Sequence, residues 1–284
     1  MIILEKNILK PKINQDFKKK QRIIDYIKIL LEEIYGLNKR LCLQTIRRSA
    51  TFIAGTLQPL LWLFLFGALF KNMTFQLIDK SVSYDIFLTS GIIIFTAFSS
   101  SLNAGLSIIF DREFGFLNRL LVYPISSNIS ILIASVIFIT ITSVIQTIIL
   151  FVIGNIKIGT KIVFSELLVS IFIILLITVF FSLLSLSLAF ILPGHIELLA
   201  FILIVNLPIL FSSTALAPFE TMPPWLRIIS SLNPLTYAIE ALRLITNSIS
   251  YFSSITNIYH SLNILLILDI FAIVLVYIFF TKRY

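Results

Sequence analysis

The sequence predicts an all-α, polytopic membrane protein with six transmembrane helices and an N-terminal interfacial amphipathic helix. Two observations carry this prediction. The chain has 284 residues and is 58% hydrophobic, but only 13% of its residues are charged. A soluble domain has about 25% charged residues, so this chain has too little polar surface to remain in water. Its apolar residues also form long continuous runs, without the two-residue alternation that is typical of a membrane β-barrel.

The first part of the chain, residues 1–48, is a basic arm that holds 12 Lys and Arg residues against 5 Asp and Glu residues. We expect Met1–Gln21 to be a solvated tail. From Arg22 onward, apolar residues recur at three- and four-residue steps, which predicts an amphipathic helix that is interrupted or bent near Gly36. This helix is too charged to cross a bilayer, so we expect it to contact lipid headgroups rather than nucleic acid.

The second part, residues 49–284, contains six apolar stretches near the length of about 20 residues that a transmembrane helix requires. The fifth is the shortest, and its Asn206 and Pro208 predict a kink. Pro193 and Gly194 form the turn before it. The predicted spans are Ser49–Phe70, Ile86–Phe110, Ser130–Ile153, Phe164–Leu192, Ile196–Ser213 and Leu262–Phe280.

Positive charge predicts the orientation of these spans. With the N-terminus inside, the inner segments hold 16 Lys and Arg residues and the outer loops hold 6. Both termini are then inside. The loop Phe110–Ser127 lies on the inner side, and the segment Glu220–Arg243 lies on the outer side.

The outer segment contains the signals of a helix start. Asn233 is a favourable N-cap residue, and Pro234 follows at the first helical position, where proline is tolerated. Glu240 and Arg243 are three residues apart and can pair across one helical turn. An apolar face of the same helix is formed by Leu235, Ala238, Ile239, Leu242 and Ile245.

The inner loop also has a helical pattern. Phe110, Phe114, Leu117, Leu120 and Leu121 form an apolar stripe, and Pro124 would stop the helix. We expect Asp111 and Glu113 to open this helix, because the helix dipole favours anions at the N-terminal end. Its charged side chains could then pair with a soluble partner. His195 and Glu197, at another inner turn, are interpreted as solvated residues.

Polar residues within the spans admit two interpretations. Asp269, in the sixth span, could be protonated, contact a neighbouring helix or face a water-filled path. Asn103 and Asn206 could line a translocation path or form hydrogen bonds between helices.

Enzyme motifs are absent from the sequence. It contains no phosphate loop of the form G-x-x-x-x-G-K-[ST], no H-E-x-x-H and no G-x-S-x-G. The single cysteine and the two distant histidines form no sequence-local metal site. We therefore expect no catalytic residue, no metal and no cofactor bound by this chain.

Two segments resemble those of ABC-2 type transporter permeases. The run from Met222 to Arg243, M-P-P-W-L-R-I-I-S-S-L-N-P-L-T-Y-A-I-E-A-L-R, resembles the outer segment before the last span of that family. Its residues that carry the likeness are Pro223, Pro224, Trp225, Asn233, Pro234, Tyr237, Glu240 and Arg243. The inner loop is similar to the family element R-E-x-G-x-x-x-x-L-L-x-x-P-[IV]-S through Arg112, Glu113, Gly115, Leu120, Leu121, Pro124, Ile125 and Ser126. It departs from the usual pattern at Phe116 and Asn118.

The resemblance implies a membrane-spanning permease of an ATP-driven exporter, in which two copies form the pathway. A separate ATP-binding cassette subunit would hold ATP and Mg²⁺ and dock on the inner coupling helix, which includes Asp111. The alternatives are a channel or an ion-coupled secondary transporter that uses Asp269, and an intramembrane enzyme acting on lipid-linked substrates. Residue usage rich in Ile, Phe, Asn and Lys fits an AT-rich genome. The chain resembles the small permeases of this family that some algal plastid genomes encode, which implies a plastid membrane, with a bacterial inner membrane as the alternative.

Overall fold

The computed structural model describes residues 13–47, 49–71, 74–77, 80–116, 129–159, 164–247 and 258–283. Helices dominate these residues, which confirms the predicted all-α architecture. In chain order the helices are α1 (Ile13–Arg47), α2 (Ser49–Leu69), α3 (Tyr84–Leu102), α4 (Ala104–Glu113), α5 (Ile129–Ile158), α6 (Phe164–Ile191), α7 (His195–Phe211), α8 (Pro224–Leu232), α9 (Pro234–Asn247) and α10 (Ile258–Arg283).

Five of the six predicted spans are long and apolar enough to cross a membrane within the described residues. They are α2, α3 together with α4, α5, α6 and α10. The predicted fifth span, α7, is a shorter apolar helix of 17 residues. It is about 25 Å long at 1.5 Å per residue, near the lower limit for a transmembrane helix. Pro208 lies within it, and the helix ends at Phe211, before a run of hydroxyl residues.

The N-terminal helix differs from its prediction. The helix was predicted to be interrupted or bent near Gly36, and it is not interrupted, because α1 is continuous from Ile13 to Arg47. It begins within the segment predicted to be a tail. A single glycine in a helix costs only about 1 kcal/mol relative to alanine, and the Lys and Gln residues before Arg22 are good helix formers. The helix therefore continues through both regions.

A short β-hairpin between α2 and α3 was not predicted. Strand β1 (Thr74–Leu77) pairs antiparallel with β2 (Lys80–Ser83), so that Thr74 lies opposite Ser83 and Leu77 lies opposite Lys80. Four-residue strands are too short for sequence periodicity to distinguish them from loops.

The two ends of the helical bundle are built differently. At one end, α4, α5, α6 and α10 share an apolar cluster that includes Ile108, Phe190 and Val276. At the other end, α9 packs against α3, α6 and α10. Following the predicted orientation, we name these the inner end and the outer end. α3 and α6 are the most buried spans, whereas α2 and α10 direct most of their side chains outward.

The second span is broken where a single continuous helix was predicted. α3 ends at Leu102 and α4 begins at Ala104. The hydroxyl of Ser185, from α6, donates to the Leu102 carbonyl and accepts from the Gly105 N–H at 3.0 Å. A Cβ atom at Gly105 would lie only 2.4 Å from the Ser185 carbonyl oxygen. The break therefore depends on a glycine that lets α6 approach and on a serine that pairs with the freed backbone groups.

Removing this hydroxyl should destabilise the bundle. We expect Ser185→Ala to lower the free energy of unfolding by about 1–3 kcal/mol, because two buried backbone groups lose their partner. Ser187→Ala is the matched control, since Ser187 is also buried on α6 but donates only to Leu183 of its own helix. Unfolding of the purified protein in mixed micelles with increasing detergent denaturant measures the difference. Equal losses in the two variants would contradict the role of Ser185.

Candidate functional site

At the inner end, Arg112 closes the C-terminal end of α6. Its guanidinium donates to the carbonyl oxygens of Ala189 at 2.9 Å, Leu192 at 2.8 Å and Pro193 at 2.7 Å. The last carbonyls of a helix have no partner inside the helix, and the helix dipole favours a cation there. Arg112 therefore attaches the end of α4 to the turn between α6 and α7.

The neighbouring residue, Glu113, closes the N-terminal end of α7. One carboxylate oxygen accepts from the backbone N–H of His195 at 2.7 Å, and the other pairs with the His195 Nδ1 atom. The N-cap position of α7 is Gly194, which has no side chain to provide this acceptor. An anion at a helix N-terminus is favoured by the dipole. Glu113 thus supplies from another helix the cap that α7 lacks.

His195, interpreted as a solvated residue, is partly exposed but also makes specific contacts. Besides its contact with Glu113, its ring lies 5.1 Å from the ring of Phe110. Glu197, in the same turn of α7, is exposed as expected. Glu113 and His195 are 82 positions apart in the chain, so no local pattern could reveal their contact.

The third charged residue of this motif, Asp111, pairs with Arg40 of α1. The same guanidinium lies 3.7 Å from the ring centroid of Phe116. A second link joins α1 to the spans, because the Ser130 hydroxyl donates to the Glu33 carboxylate at 2.8 Å. The N-terminal helix is thereby attached to both α4 and α5.

The predicted start of the inner coupling helix is wrong. Asp111 and Glu113 do not open a helix but lie in the last turn of α4, and the chain turns at Gly115, which has a φ of 71°. Two acidic residues at a C-terminal end oppose the helix dipole. Arg40 and His195 compensate, because each pairs with one of these carboxylates. The remaining motif residues lie outside the described residues; they are Leu120, Leu121, Pro124, Ile125 and Ser126.

At the outer end, the two prolines of the motif start α8. Pro224 is the first helical residue, and Pro223 precedes it in an extended conformation with a φ of −63° and a ψ of 155°. Proline suits this place because its missing N–H would have no helical partner. Trp225 is 64% exposed and contributes to an apolar stripe that α8 directs outward.

Asn233 joins three helices. Its Oδ1 atom accepts from the Leu235 N–H at 3.0 Å, which confirms the predicted N-cap of α9 before Pro234. Its Nδ2 atom donates to the Ile209 carbonyl at 2.8 Å and to the Ser212 Oγ at 3.0 Å, at the C-terminal end of α7. A single side chain therefore satisfies the end of α7 and the start of α9, and α8 ends directly before it.

Tyr237 connects α9 back to α8. Its hydroxyl donates to the Ser231 carbonyl at 2.7 Å. Burial raises the pKa of this hydroxyl above its ordinary value.

The predicted pair of Glu240 and Arg243 is confirmed, and both side chains are fully buried. Arg243 donates to Glu240 at 2.8 Å, to the Phe87 carbonyl at 3.0 Å and to the Thr214 carbonyl at 2.8 Å. Its guanidinium also lies 3.7 Å from the ring centroid of Phe87. A buried charge is tolerated only when it is paired and hydrogen-bonded. This arginine thus links α9, the start of α3 and the segment after α7.

The three polar residues considered for a pathway lie on different helices. Asn103 is exposed at the break between α3 and α4 and donates to its own helix at Ser99. Within the described residues, neither Asn206 Oδ1 on α7 nor Asp269 Oδ1 on α10 has a hydrogen-bond partner. Asp269 is 6% exposed. The structure does not bring these three side chains together through hydrogen bonds in the part of the chain it describes.

The chain matches the family model described as ABC-2 type transporter over residues 32–246. It also resembles curated proteins named "Putative transport permease ycf38". The protein of Pyropia yezoensis is 53% identical over 227 residues, which cover 80% of this chain and 78% of the relative. That of Porphyra purpurea is 55% identical over 217 residues, 76% and 74% of the two chains. That of Cyanophora paradoxa is 45% identical over 280 residues, 95% of each chain.

The chain belongs to the ABC-2 type transporter family. The matched region runs from α1 to the end of α9 and therefore includes both motifs and the bonds that they make. The ABC-2 assignment, the plastid origin of the relatives and the apolar helices confirm the prediction of a multi-pass membrane protein of the plastid.

Sequence reasoning missed a further charged contact of this ABC-2 permease. Lys157 of α5 pairs with Asp85 of α3 at 2.8 Å and donates to the Leu63 carbonyl of α2 at 3.3 Å. The pair fits against α2 because residue 67 is glycine, whose added Cβ would lie 2.2 Å from the Lys157 Nζ atom. A small residue in a span is a signal of close packing, but it does not name the partner.

The buried pair of the outer motif should dominate the stability of the outer end. We expect Arg243→Met to lower the free energy of unfolding by about 3–5 kcal/mol, because Glu240 is left as an uncompensated buried charge. The double variant Glu240→Leu/Arg243→Met should show a smaller decrease in the free energy of unfolding than Arg243→Met alone. Detergent-denaturant unfolding measures both.

A control for this prediction is Arg227→Met. Arg227 is exposed in the same outer segment and donates to the Met222 carbonyl at 2.8 Å. Arg227→Met should lower the free energy of unfolding by clearly less than Arg243→Met does. A double variant as unstable as the single Arg243→Met would show that the unpaired charge is not the source of the loss.

Proposed function

We propose that the chain is the membrane-spanning permease subunit of an ATP-driven exporter, and that a separate ATP-binding cassette subunit supplies the energy. Membership of the ABC-2 family and the names of the relatives support a transport permease. The chain contains no phosphate loop, the element that cradles the phosphates of ATP. ATP and Mg²⁺ are therefore bound by the partner subunit.

The attachment of the inner motif to several spans is the observation that carries this proposal. Arg112 binds the end of α6, Glu113 binds the start of α7, and Asp111 binds α1. A soluble subunit that moves this end of α4 moves the end of α6, the start of α7 and the contact with α1. ATP binding in the partner can thus change which side of the membrane the pathway faces.

The contact with the partner begins at Phe114 in this proposal. The three charged residues before it are already paired within the chain. Phe114 itself is 78% exposed and stacks on Phe110, with ring centroids 6.1 Å apart. An exposed aromatic side chain backed by a second ring is suited to insert into a pocket of a soluble partner.

Two copies of the chain form the pathway in this proposal. Asn103 is exposed on the second span, and an amide that faces lipid tails is unfavourable because lipid offers it no hydrogen bonds. A second copy that covers this face would enclose Asn103 and Asn206 along a path between the subunits. The outward apolar faces of α2 and α10 then contact lipid.

Purification in mild detergent tests the proposed partner. We expect a companion chain with a phosphate loop to copurify in roughly equal amount. Phe114→Asp should reduce this companion strongly, because a charge replaces the proposed apolar contact. Quantitative mass spectrometry of the purified complex measures the ratio of the two chains.

The matched control is Phe164→Asp, since Phe164 is 74% exposed but begins α6 at the outer end. It should leave the companion bound. Absence of any companion chain with a phosphate loop would overturn the ATP-driven proposal, and equal loss in both variants would overturn the role of Phe114.

The second candidate is an ion-coupled secondary transporter that uses Asp269. One observation favours it: within the described residues, a carboxylate oxygen of Asp269 is buried without a hydrogen-bond partner. The rest of the span offers no second carboxylate for a relay.

Asp269→Asn distinguishes the two functions. We expect the purified complex to retain nucleotide-dependent changes in protease sensitivity, because asparagine has nearly the same volume and the energy comes from ATP. In liposomes, an imposed pH gradient should drive the same proton flux through this variant as through the unchanged protein. A flux that is present in the unchanged protein and lost in Asp269→Asn would instead establish the ion-coupled function.

A further inference from the structure

The two family motifs bind opposite ends of the same helix. Glu113 of the inner motif accepts from the first N–H of α7 at His195, at 2.7 Å. Asn233 of the outer motif donates to the Ile209 carbonyl in the last turn of α7, at 2.8 Å. Glu113 and Asn233 are 120 residues apart in the chain, and α7 receives a side-chain hydrogen bond from each of them.

The packing of α7 suits it to move as a unit. A single stripe of Leu198, Ile202 and Leu210 is buried against the other helices. Most of its other apolar side chains are exposed, including Ile204, which is 71% exposed. A helix held along one stripe loses little packing when it shifts along its axis. Its internal hydrogen bonds keep it rigid over a length of about 25 Å.

The two ends of α7 are held by hydrogen bonds, whereas its side is held by apolar contacts. Each of these hydrogen bonds is made by a side chain of a motif to a backbone group that has no backbone partner within the helix. The Ile209 carbonyl also accepts from the Ser212 hydroxyl at 3.2 Å. Glu113 also contributes its charge to the positive end of the helix dipole. Displacement of either motif would break these bonds unless α7 moves with it.

We propose that α7 transmits movement from the inner motif to the outer motif, with Glu113 and Asn233 as the positioning residues that hold its two ends. The proposal rests on the ATP-driven function given above. When the partner subunit displaces the end of α4, Glu113 displaces α7, and Asn233 passes the shift to the start of α9 and the end of α8. Pro208 lies beside the outer attachment and removes one backbone hydrogen bond of α7.

A cysteine reporter at the outer end tests the transmission. Glu220→Cys is placed in a Cys42→Ser background, because Cys42 is the single cysteine of the chain and is exposed. Glu220 is exposed in the short 3-10 turn before α8. The complex with its ATPase subunit is labelled with a water-soluble maleimide in ADP and in ATP with vanadate. We expect the labelling rate to change about fivefold between the two states, the lower range of typical coupling between sites.

Two variants interrupt the proposed transmission. Glu113→Ala removes the acceptor for the His195 N–H, and Asn233→Ser keeps a hydroxyl that can cap α9 but removes the donor to the Ile209 carbonyl. In each, the ratio of labelling rates between the two nucleotide states should fall close to one. Glu113→Gln still offers an oxygen to the His195 N–H and should restore the response.

The control for the inner end is Glu197→Ala. Glu197 is exposed in the same turn of α7, and no hydrogen bond from its side chain to another helix is found among the described residues. This variant should respond to nucleotide as the unchanged protein does. Because the readout is a ratio between two states of one complex, a uniform loss of stability does not imitate the expected result.

Each outcome decides between the two proposals. A complex of the unchanged permease that gives no response to nucleotide would overturn the ATP-driven function, and this inference with it. A response that persists in Glu113→Ala and in Asn233→Ser would overturn the role of α7 alone. If Glu197→Ala also abolished the nucleotide-dependent change in labelling, the effect of Glu113→Ala would not be specific to its bond with α7. The role of Glu113 as a positioning residue would then be overturned.

Discussion

The ends of a helix leave backbone N–H and C=O groups without partners inside the helix, and other parts of the protein can supply those partners. This constraint explains what the residues of the two motifs do in the structure. Arg112 and Glu113 satisfy the end of α6 and the start of α7 at the inner end. Asn233 and Tyr237 do the same for α7, α8 and α9 at the outer end. The short connections between α6 and α7 and between α8 and α9 are thereby tied to the helix ends that they join.

Buried charges also need partners, and an unpaired buried charge costs more free energy than an unpaired backbone group. A buried ion costs several kcal/mol unless it is paired, and Arg243 meets this demand with a carboxylate, two carbonyls and an aromatic face. Its contacts at Phe87 attach the outer end of α3. Arg112 attaches the inner end of α4, which continues the same span after the break at Asn103. The second span is therefore held at both ends by arginine, and Ser185 of α6 holds the break in its middle.

Features governed by neighbouring residues were predictable. The apolar runs predicted the spans. Pro193 and Gly194 predicted the turn before α7, and Asn233 before Pro234 predicted the start of α9. The Glu240 pair with Arg243 was accessible because its members are one helical turn apart. The end of α4 could not be predicted, because the apolar pattern continues past Glu113. The contacts that compensate its acidic residues come from Arg40 and His195, which are distant in the chain. The break at Asn103 was also missed, since it depends on Ser185 of another helix.

The sequence by itself determined that the chain is a helical membrane protein with two motif-bearing connections on opposite sides. Hydrophobic length and local capping preferences suffice for this, because both act within about 20 consecutive residues. Only the tertiary structure decided what the charged motif residues contact. Arg112 and Glu113 looked available for a soluble partner, yet they bind backbone groups about 80 residues away along the chain. Such contacts depend on how the helices pack, and the pattern within any one helix leaves their partners undetermined.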